Sequence, residues 1–544
     1  MESLYSRTLL REEHLKQQGY RVVTMWECEW QRKLNNSSEL LKIVDSFDIR
    51  ERLRIRDAFF GGRTNAIKLY HKVAEDEKIF YVDYTSLYPY VCKYGKFPTD
   101  HPVIITKNFD WSLKSYFGVV LCSVLPPRNL YHPVLPCRTG GKLVFPLCAF
   151  CASSGDVRGC HCPEKKRMLH GTWSTPELSK ALQLGYRLVE IREVYHYPQT
   201  TQYNKATGEH GLFSQFIDFF LRIKQEASDY PDWVKHADNF EQAALQYVNH
   251  YRQKEGVQLE KESIKKNPAL RSLAKLLLNS FWGKFGQNSN YPKTEFITEP
   301  ETYFQRINDC TKHCLDFNII SDDIIQLDWE NDDRFLEDSI IASDIHAALV
   351  TAYGRLKLYD LLEQLQKRVL YLDTDSVIFT WRKGEWAPKL GDCLGELTSE
   401  LADNDHIVEF VSGGPKQYAY KTLMNEEACK IRGFSLNYSN SHIVHFDALK
   451  DYVCNIQPFR LTTLVNPSKI VRNKDDYEII SQREKGNFTG PCTQRGWCGT
   501  IIRRSPMATI PSTTSELIHP LPAYDHTKQR NVHSCLSFAI WTPR

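Results

Sequence analysis

The chain has 544 residues, too many for one hydrophobic core, since single cores stop growing at about 250–300 residues; two or three domains are expected. An apolar fraction of 42% and a charged fraction of 25% are ordinary globular values and exclude a fibre or a wholly disordered chain. The 69 basic and 66 acidic residues nearly cancel, so any surface for a polyanion has to be local. No run of about 18 apolar residues occurs, which argues against a membrane-spanning helix, and no apolar leader follows Met1. An intracellular setting, nuclear or cytoplasmic, is the expectation, and the 16 cysteines then read as reduced thiols, some of them metal-bound.

In chain order, Arg7 to Leu34 reads as a helix followed by a strand. Leu9, Leu10 and Leu15 are interleaved with Glu12, Glu13 and Lys16, Gly19 stops the helix, and Arg21 to Trp26 is β-rich. Phe59-Phe60-Gly61-Gly62-Arg63 punctuates the chain before a strand, Ile79 to Val82, that ends at Asp83. Pro102 to Tyr197 is rich in strands and turns. Gly211 to Ser263 is helical in pattern, with Phe216, Phe219, Phe220 and Ile223 at helical spacing, and Asn267-Pro268 starts a further helix. Ala342 to Leu365 reads as an amphipathic helix leading into a strand, Val369 to Leu372, that ends at Asp373. After about Gly490, prolines, serines and threonines replace apolar periodicity, and a poorly ordered tail is expected.

Three groups of residues carry chemistry. Two strands end in aspartates, Asp83 and the pair Asp373 and Asp375. If the strands are neighbours, the carboxylates converge and repel, an arrangement stable mainly when hard cations neutralise it. Mg²⁺ fits, and two such ions about 4 Å apart can activate an attacking hydroxyl and stabilise a leaving phosphate. The plain alternative is a set of solvated turn residues. In the second group Arg271, Lys275 and Asn279 lie four apart on one helix face, able to line a triphosphate site, with Leu276-Leu277-Leu278 expected to pack the opposite side. The third is Gly413-Gly414-Pro415-Lys416-Gln417-Tyr418, a tight turn after which Lys416 and Tyr418 are expected on one side of an extended segment, holding a nucleic-acid strand. Each of the last two, taken alone, is also compatible with an ordinary solvated surface.

Taken together these residues resemble the family B DNA polymerases. Asp83 to Pro89 matches their Dx2SLYP motif, Lys275 to Gly283 is similar to Kx3NSxYG, Tyr371 to Ser376 matches YxDTDS, and Lys416-Gln417-Tyr418 matches KxY. Phe59-Phe60-Gly61-Gly62 resembles the YxGG linker of the protein-primed branch, and Gly61 to Asn65 is most similar to the form in Maverick/Polinton-type elements and related viruses. The resemblance implies an α+β fold: a right-hand polymerase with a palm sheet, helical fingers, two insertions and a partial thumb. It implies that Asp83 and Asp375 hold two Mg²⁺ ions with Asp373 nearby. Tyr88 would stack under the incoming sugar and exclude ribonucleotides, and Ser86, Lys275 and Asn279 would bind the deoxynucleoside triphosphate. Lys416, Tyr418, Gly61, Gly62, Ser280 and Gly283 would contact primer-template DNA. A terminal priming protein is the further partner that this branch implies, and no membrane is involved.

The domain boundaries that follow are residues 1–49 as an N-terminal remnant, 50–100 as linker and palm, and 101–255 as the insertion that would contact the priming protein. Residues 256–287 form the fingers, 288–340 the second insertion, 341–435 the palm, 436–489 a partial thumb and 490–544 the tail. Trp282 and Phe59 stand where the family usually has tyrosine. No exonuclease carboxylates precede Asp83, so no proofreading domain is expected. Residues from Arg11 to Glu29 resemble the end of very-short-patch-repair-type endonucleases without their catalytic carboxylates. The alternative to an active polymerase is a catalytically inactive remnant that binds DNA or the priming protein. Within the first insertion Cys148-x2-Cys151 and Cys160-x-Cys162 supply four soft donors at zinc-compatible spacing, between turn-forming Pro146, Gly155 and Gly159. A structural Zn²⁺ is expected there, against a reading of ordinary thiols, which is preferred for Cys310 and Cys314.

Overall fold

The computed structural model describes residues 2–19, 21–40, 52–155, 159–288, 290–332, 343–432, 438–454, 461–465, 469–472, 479–482, 485–489 and 537–540. The chain divides into two compact units, one formed by residues 1–52, 292–336 and 504–544 and the other by 53–291 and 337–503. Nearly all of the expected tail lies outside the described residues.

The larger unit is built on a nine-stranded sheet, antiparallel in every pairing. Its strands are β1 (Thr64–Ala66), β2 (Tyr70–Lys72), β3 (Glu77–Tyr84), β4 (Val369–Asp373), β5 (Ser376–Arg382), β6 (Leu397–Ser399), β7 (Ile407–Gly414), β8 (Gln417–Thr422) and β9 (Glu427–Ile431). The order is β1-β4-β5-β3-β7-β8-β9, with β6 paired to β3 and β2 to β7. Strands β3 and β4 read as near-continuous apolar runs because both faces of the sheet are covered. On one face Val82, Leu372, Val377 and Phe379 join the main core; on the other Ile79, Tyr81, Leu370, Tyr371 and Ile378 meet Phe410, Tyr418 and Tyr420.

Helix α1 (Leu87–Tyr94) follows β3. Helices α2 (Ser214–Glu226), α3 (Phe240–Glu255) and α4 (Pro268–Ser280) come next, and α5 (Asp344–Leu365) runs into β4. Asn267 caps α4 by accepting the Leu270 amide, with Pro268 in its first turn. Helix α5 departs from the amphipathic expectation. Its Ile345, Ala348, Leu349, Leu358, Leu361 and Leu362 enter the main core, while Tyr359 packs into the insertion core and Arg355 is 5% exposed. A helix covered on several sides has no solvent stripe to keep polar. The leucine triplet of α4 also departs from expectation: Leu278 is buried, but Leu276 is 62% exposed and Leu273 52%. Successive helical residues turn by 100°, so three in a row cannot share a face.

The first insertion contains a four-stranded antiparallel sheet, Leu169–Ser174, Gly118–Leu125, Arg187–His196 and Val103–Ile105 in that order, around a core that includes Trp173 and Leu178. Helix α2 lies in the stretch assigned to this insertion but packs against α4, so the boundary at residue 255 falls between two partnered helices. In the smaller unit, residues expected to form the second insertion make a three-stranded antiparallel sheet, Lys293–Ile297, Ile324–Asn331 and Lys312–Ser321, and Arg306 pairs with Glu295 beside Trp329. The N-terminal helix spans Glu2–Gln17, followed by the strand Val23–Trp26 and a second helix Glu27–Asn36 that the sequence reading did not include. Of the expected thumb, the structure describes Phe446–Cys454 as a helix and Leu461–Val465 paired with Lys485–Thr489.

The Phe59–Arg63 linker is fastened from both sides. Arg355, buried and paired with buried Glu177 at 2.8 Å, donates to the carbonyls of Phe60 and Gly61 at 2.6 and 2.9 Å. Arg138 donates to the carbonyls of Asp57 and Phe59 and lies over the Phe60 ring. The Thr374 amide donates to the Arg63 carbonyl at 2.7 Å. This brings Gly62 so close to the Asp373–Asp375 turn that a Cβ would stand 2.7 Å from Thr374 Cγ2, whereas a Cβ on Gly61 would meet nothing within 4 Å. Gly62→Ala is therefore expected to cost about 1–3 kcal/mol through overpacking, and Gly61→Ala no more than about 0.5 kcal/mol. Urea unfolding of the two variants measures this; equal costs would refute the close approach.

Candidate functional site

The hairpin between β4 and β5 sets Asp373 opposite Ser376, and the β5–β3 ladder sets Ser376 opposite Asp83. The turn between Asp373 and Ser376 thus carries Asp375 to the end of β3, where Tyr84 donates its amide to the Asp375 carbonyl at 2.8 Å. All three aspartates that the sequence singles out meet at one sheet end. Strand β6 adds a fourth acid that the motifs did not show: Glu400, whose amide donates to the Tyr81 carbonyl at 2.9 Å and whose charge acts on both Asp83 and Asp375.

The acids differ in their surroundings. Asp373 accepts from Thr64 Oγ1 at 2.7 Å and from Lys416 Nζ at 3.1 Å. Asp83 is pushed up to about 7, first by burial and then by the charges of Asp375 and Glu400, with Lys275 and Lys430 offsetting part of the rise. Asp375 is pushed up to about 6 by burial, with Asp373 and Glu400 adding to it and its own backbone amide and Lys416 opposing. Asp83 and Asp375 therefore sit in a pocket of negative potential, with only hard oxygen donors to offer, and these are the donors that Mg²⁺ selects.

Three non-glycine residues around these acids have left-handed backbones: Ser86 (φ 54°), Thr374 (φ 60°) and Lys416 (φ 60°). The conformation costs such residues on the order of 1–2 kcal/mol each and clusters where function over-determines the backbone. Ser86 precedes α1 and accepts from Lys224 Nζ at 3.3 Å. Lys224, on α2, is the cation that the sequence reading missed. Its pKa is held low by burial and by the neighbouring charges of Arg271 and Lys275 on α4. Three cations from two helices thus share one location. Lys275 and Asn279 are both exposed on α4, and the charge of Lys275 reaches Asp83. Ser280 and Gly283 are exposed at the end of α4 and line a hollow with Phe216, Lys284 and Gln287.

Tyr88 lies on α1 with its ring 4.5 Å from that of Trp282 and packed on Gly354, and burial pushes its hydroxyl up to about 12. Phe59 stands edge-on to Trp282 at 6.5 Å, so the two aromatic departures from the motif pattern touch each other. The Trp282 indole Nε1 is buried without a hydrogen-bond partner among the described residues.

Lys416 and Tyr418 do not lie on one side as expected. Lys416 sits in the turn itself, where strand alternation does not apply, and reaches Asp373; its amide donates to Tyr371 Oη at 2.7 Å. Tyr418 is 4% exposed, packed among Tyr81, Tyr371 and Tyr420, with its hydroxyl 2.9 Å from that of Tyr81. Its side chain packs within the sheet. The Sγ atoms of Cys148, Cys151, Cys160 and Cys162 all lie within 4.8 Å of one another.

The sequence from 29 to 236 and from 238 to 351 matches the family described as DNA polymerase type B, organellar and viral. The chain belongs to that family. The match takes in Asp83 to Pro89 and Lys275 to Gly283, while Asp373, Asp375 and Lys416 lie beyond it. Among curated relatives, a "probable DNA polymerase" of Neurospora intermedia is 25% identical over 400 residues, covering 70% of this chain and 32% of the relative. One of Agaricus bitorquis is 23% identical over 445 residues, covering 75% and 45%. The chain thus spans less than half the length of these relatives. Of solved structures, it is similar to Phi29 DNA polymerase complexed with primer-template DNA (TM-score 0.48, 15% identity, 80% of this chain and 62% of that one). It is also similar to the ternary complex with incoming nucleotide substrates (TM-score 0.47, 14% identity, 85% and 69%). No helix among the described residues is long and apolar enough to cross a membrane.

The raised acid at Asp83 has a measurable consequence. A carboxyl with a folded pKa near 7 and an unfolded one near ~3.9 favours folding only while it is protonated. That contribution is complete below about pH 4 and is lost as the pH rises through about 7. In metal-free buffer, Asp83→Asn is expected to raise the melting temperature by a few degrees at pH 8 and by much less at pH 5. Millimolar Mg²⁺ should narrow the pH 8 gap by stabilising the parent alone. A gap independent of pH would contradict this account of the site.

Proposed function

We propose that this chain is the catalytic core of a template-directed DNA polymerase, joining deoxynucleoside triphosphates to a primer 3′-hydroxyl. The observation that carries the reading is the juxtaposition of Asp83, Asp373 and Asp375 with Lys224, Arg271 and Lys275 across Ser86. Acids that bind hard cations face cations that bind phosphate, and a nucleoside triphosphate with its metal ions requires both at once.

Asp83 and Asp375 would hold two Mg²⁺ ions, with Asp373 beside them. When bound, the ions supply charge neutralisation and activation of the attacking hydroxyl. The chain's own residues do the rest. Lys275 and Lys224 orient the triphosphate as point charges, and Arg271 adds a planar donor fork. Lys224 lies deeper than Lys275, and its tie to Ser86 fixes where the phosphate tail begins. Tyr88, packed between Trp282 and Gly354, would close the space that a 2′-hydroxyl needs. Lys416, which holds Asp373, would contact the primer terminus. Catalysis of this kind is largely positional and electrostatic.

The finer context belongs to the same reading: replication of a virus-like or mobile element, with a terminal priming protein as partner.

Extension of a labelled primer on a template, with Mg²⁺ and deoxynucleotides, tests the proposal. The parent is expected to extend and Asp375→Ala to be inactive; primer-template binding without extension by the parent would overturn the enzymatic reading and leave a DNA-binding remnant. Lys224→Ala is expected to lower kcat/KM for deoxynucleotide about ten- to a hundredfold, the range for one lost charged hydrogen bond. Affinity for primer-template should be unchanged, and an unaltered kcat/KM would remove Lys224 from the site.

A further inference from the structure

We propose that Cys148, Cys151, Cys160 and Cys162 hold one structural Zn²⁺ ion, and that this ion clips the first insertion together beside the linker. Their four Sγ atoms lie within 4.8 Å of one another, and the Cys151 and Cys162 sulfurs are 3.8 Å apart. A tetrahedral zinc with bonds of about 2.3 Å places its sulfurs about 3.8 Å from one another. A disulfide needs about 2.05 Å, and a four-iron cluster would spread its thiolates more widely than a single ion does. The spacing therefore suits one ion. Four thiolates are a soft donor set that selects zinc over Mg²⁺ or Ca²⁺, and four protein donors close the coordination shell, as in structural rather than catalytic sites.

The backbone around the cysteines is arranged to keep them there. Cys148 precedes the short helix Ala149–Ser154, and its sulfur accepts the Cys151 amide at 3.4 Å. An N–H···S contact of this kind stabilises a thiolate. Arg128 donates to the carbonyls of Cys160 and Cys162 at 3.4 and 3.0 Å, fixing the second half of the set. Arg167, only 4% exposed, donates to the carbonyls of Pro126, Pro127 and Leu147 at 2.6, 3.1 and 3.4 Å, and so ties both flanks of the loop to one strand end. Arg128, Lys166 and Arg167 also supply positive charge near a centre that four thiolates and one Zn²⁺ leave at a formal charge of −2. The strand Lys142–Val144 leads into this loop and pairs with Cys137–Thr139, from which Arg138 reaches the linker carbonyls. The clip thus supports the same linker that packs on the Asp373–Asp375 turn.

The test is the metal content of the full-length chain purified without chelator. One zinc per chain is expected, none in the Cys148→Ser/Cys162→Ser double variant, and one in Cys310→Ser. Should the double variant fail to fold, the parent alone decides. Mass-mapped alkylation should spare these four cysteines until a chelator is added, and Co²⁺ exchange should give the intense visible bands of a four-thiolate tetrahedral site. Zinc-free parent protein, alkylation indifferent to chelator, a Cys151–Cys162 disulfide, or iron with the absorption of a cluster would each overturn the proposal.

Discussion

Like charges converging at one end of the central sheet are the constraint from which the rest of the larger unit follows. Asp83, Asp373, Asp375 and the exposed Glu400 approach one another, and burial together with mutual repulsion pushes the pKa values of Asp83 and Asp375 well above the usual carboxylate range. Such a cluster is a standing penalty in the absence of cations. The protein meets it in two ways. One acid, Asp373, is paired internally with Lys416 and hydrogen-bonded by Thr64; for Asp83 and Asp375 the repulsion is met by protonation, or by the cations of the proposed function. The division separates an acid paired within the turn from two acids without such a pairing.

Keeping the cluster in place takes more than the strands that carry it. The Asp373–Asp375 turn is pressed against Gly62, the linker carbonyls are held by Arg355, and Arg355 is held by Glu177 in the first insertion. Removing the buried Arg355 takes the donor from the Phe60 and Gly61 carbonyls and the countercharge from Glu177, which among the described residues keeps only its hydrogen bond from Ser174, and breaking such a pair costs about 3–5 kcal/mol. The insertion is in this sense part of the site's foundation.

The sequence made the acids legible because each motif is local: an apolar strand ending in an aspartate is visible without knowing its neighbours. Convergence is expected there of adjacent strands; in the structure β5 lies between β4 and β3, and its hairpin with β4 still carries Asp375 to the end of β3. The sequence did not reveal Lys224 or Glu400, because each reaches the cluster from an element with no motif of its own, and only the packing of α2 on α4 and of β6 on β3 brings them in. Tyr418 was misplaced for a related reason. Alternation along a strand predicts sides correctly only where the backbone is extended, and Lys416 at φ 60° breaks the alternation just before it. Helix α5 looked amphipathic because its few polar residues suggest a wet face. Arg355, however, points into the protein to hold the linker, and no periodicity distinguishes a buried arginine from an exposed one. The four cysteines were legible as a candidate set from their zinc-compatible spacing, with ordinary thiols as the alternative, and the structure brings their sulfurs together.

The central claim is that Asp83 and Asp375 bind two cations in the presence of a nucleotide. Electron paramagnetic resonance of Mn²⁺ titrated onto the chain tests it most directly, with a dideoxy-terminated primer-template and the next complementary deoxynucleotide present. The account predicts two spin-coupled Mn²⁺ ions per chain, and loss of the coupling in Asp83→Asn and in Asp375→Asn. An identical signal from the parent and the Asp83→Asn/Asp375→Asn double variant would contradict it.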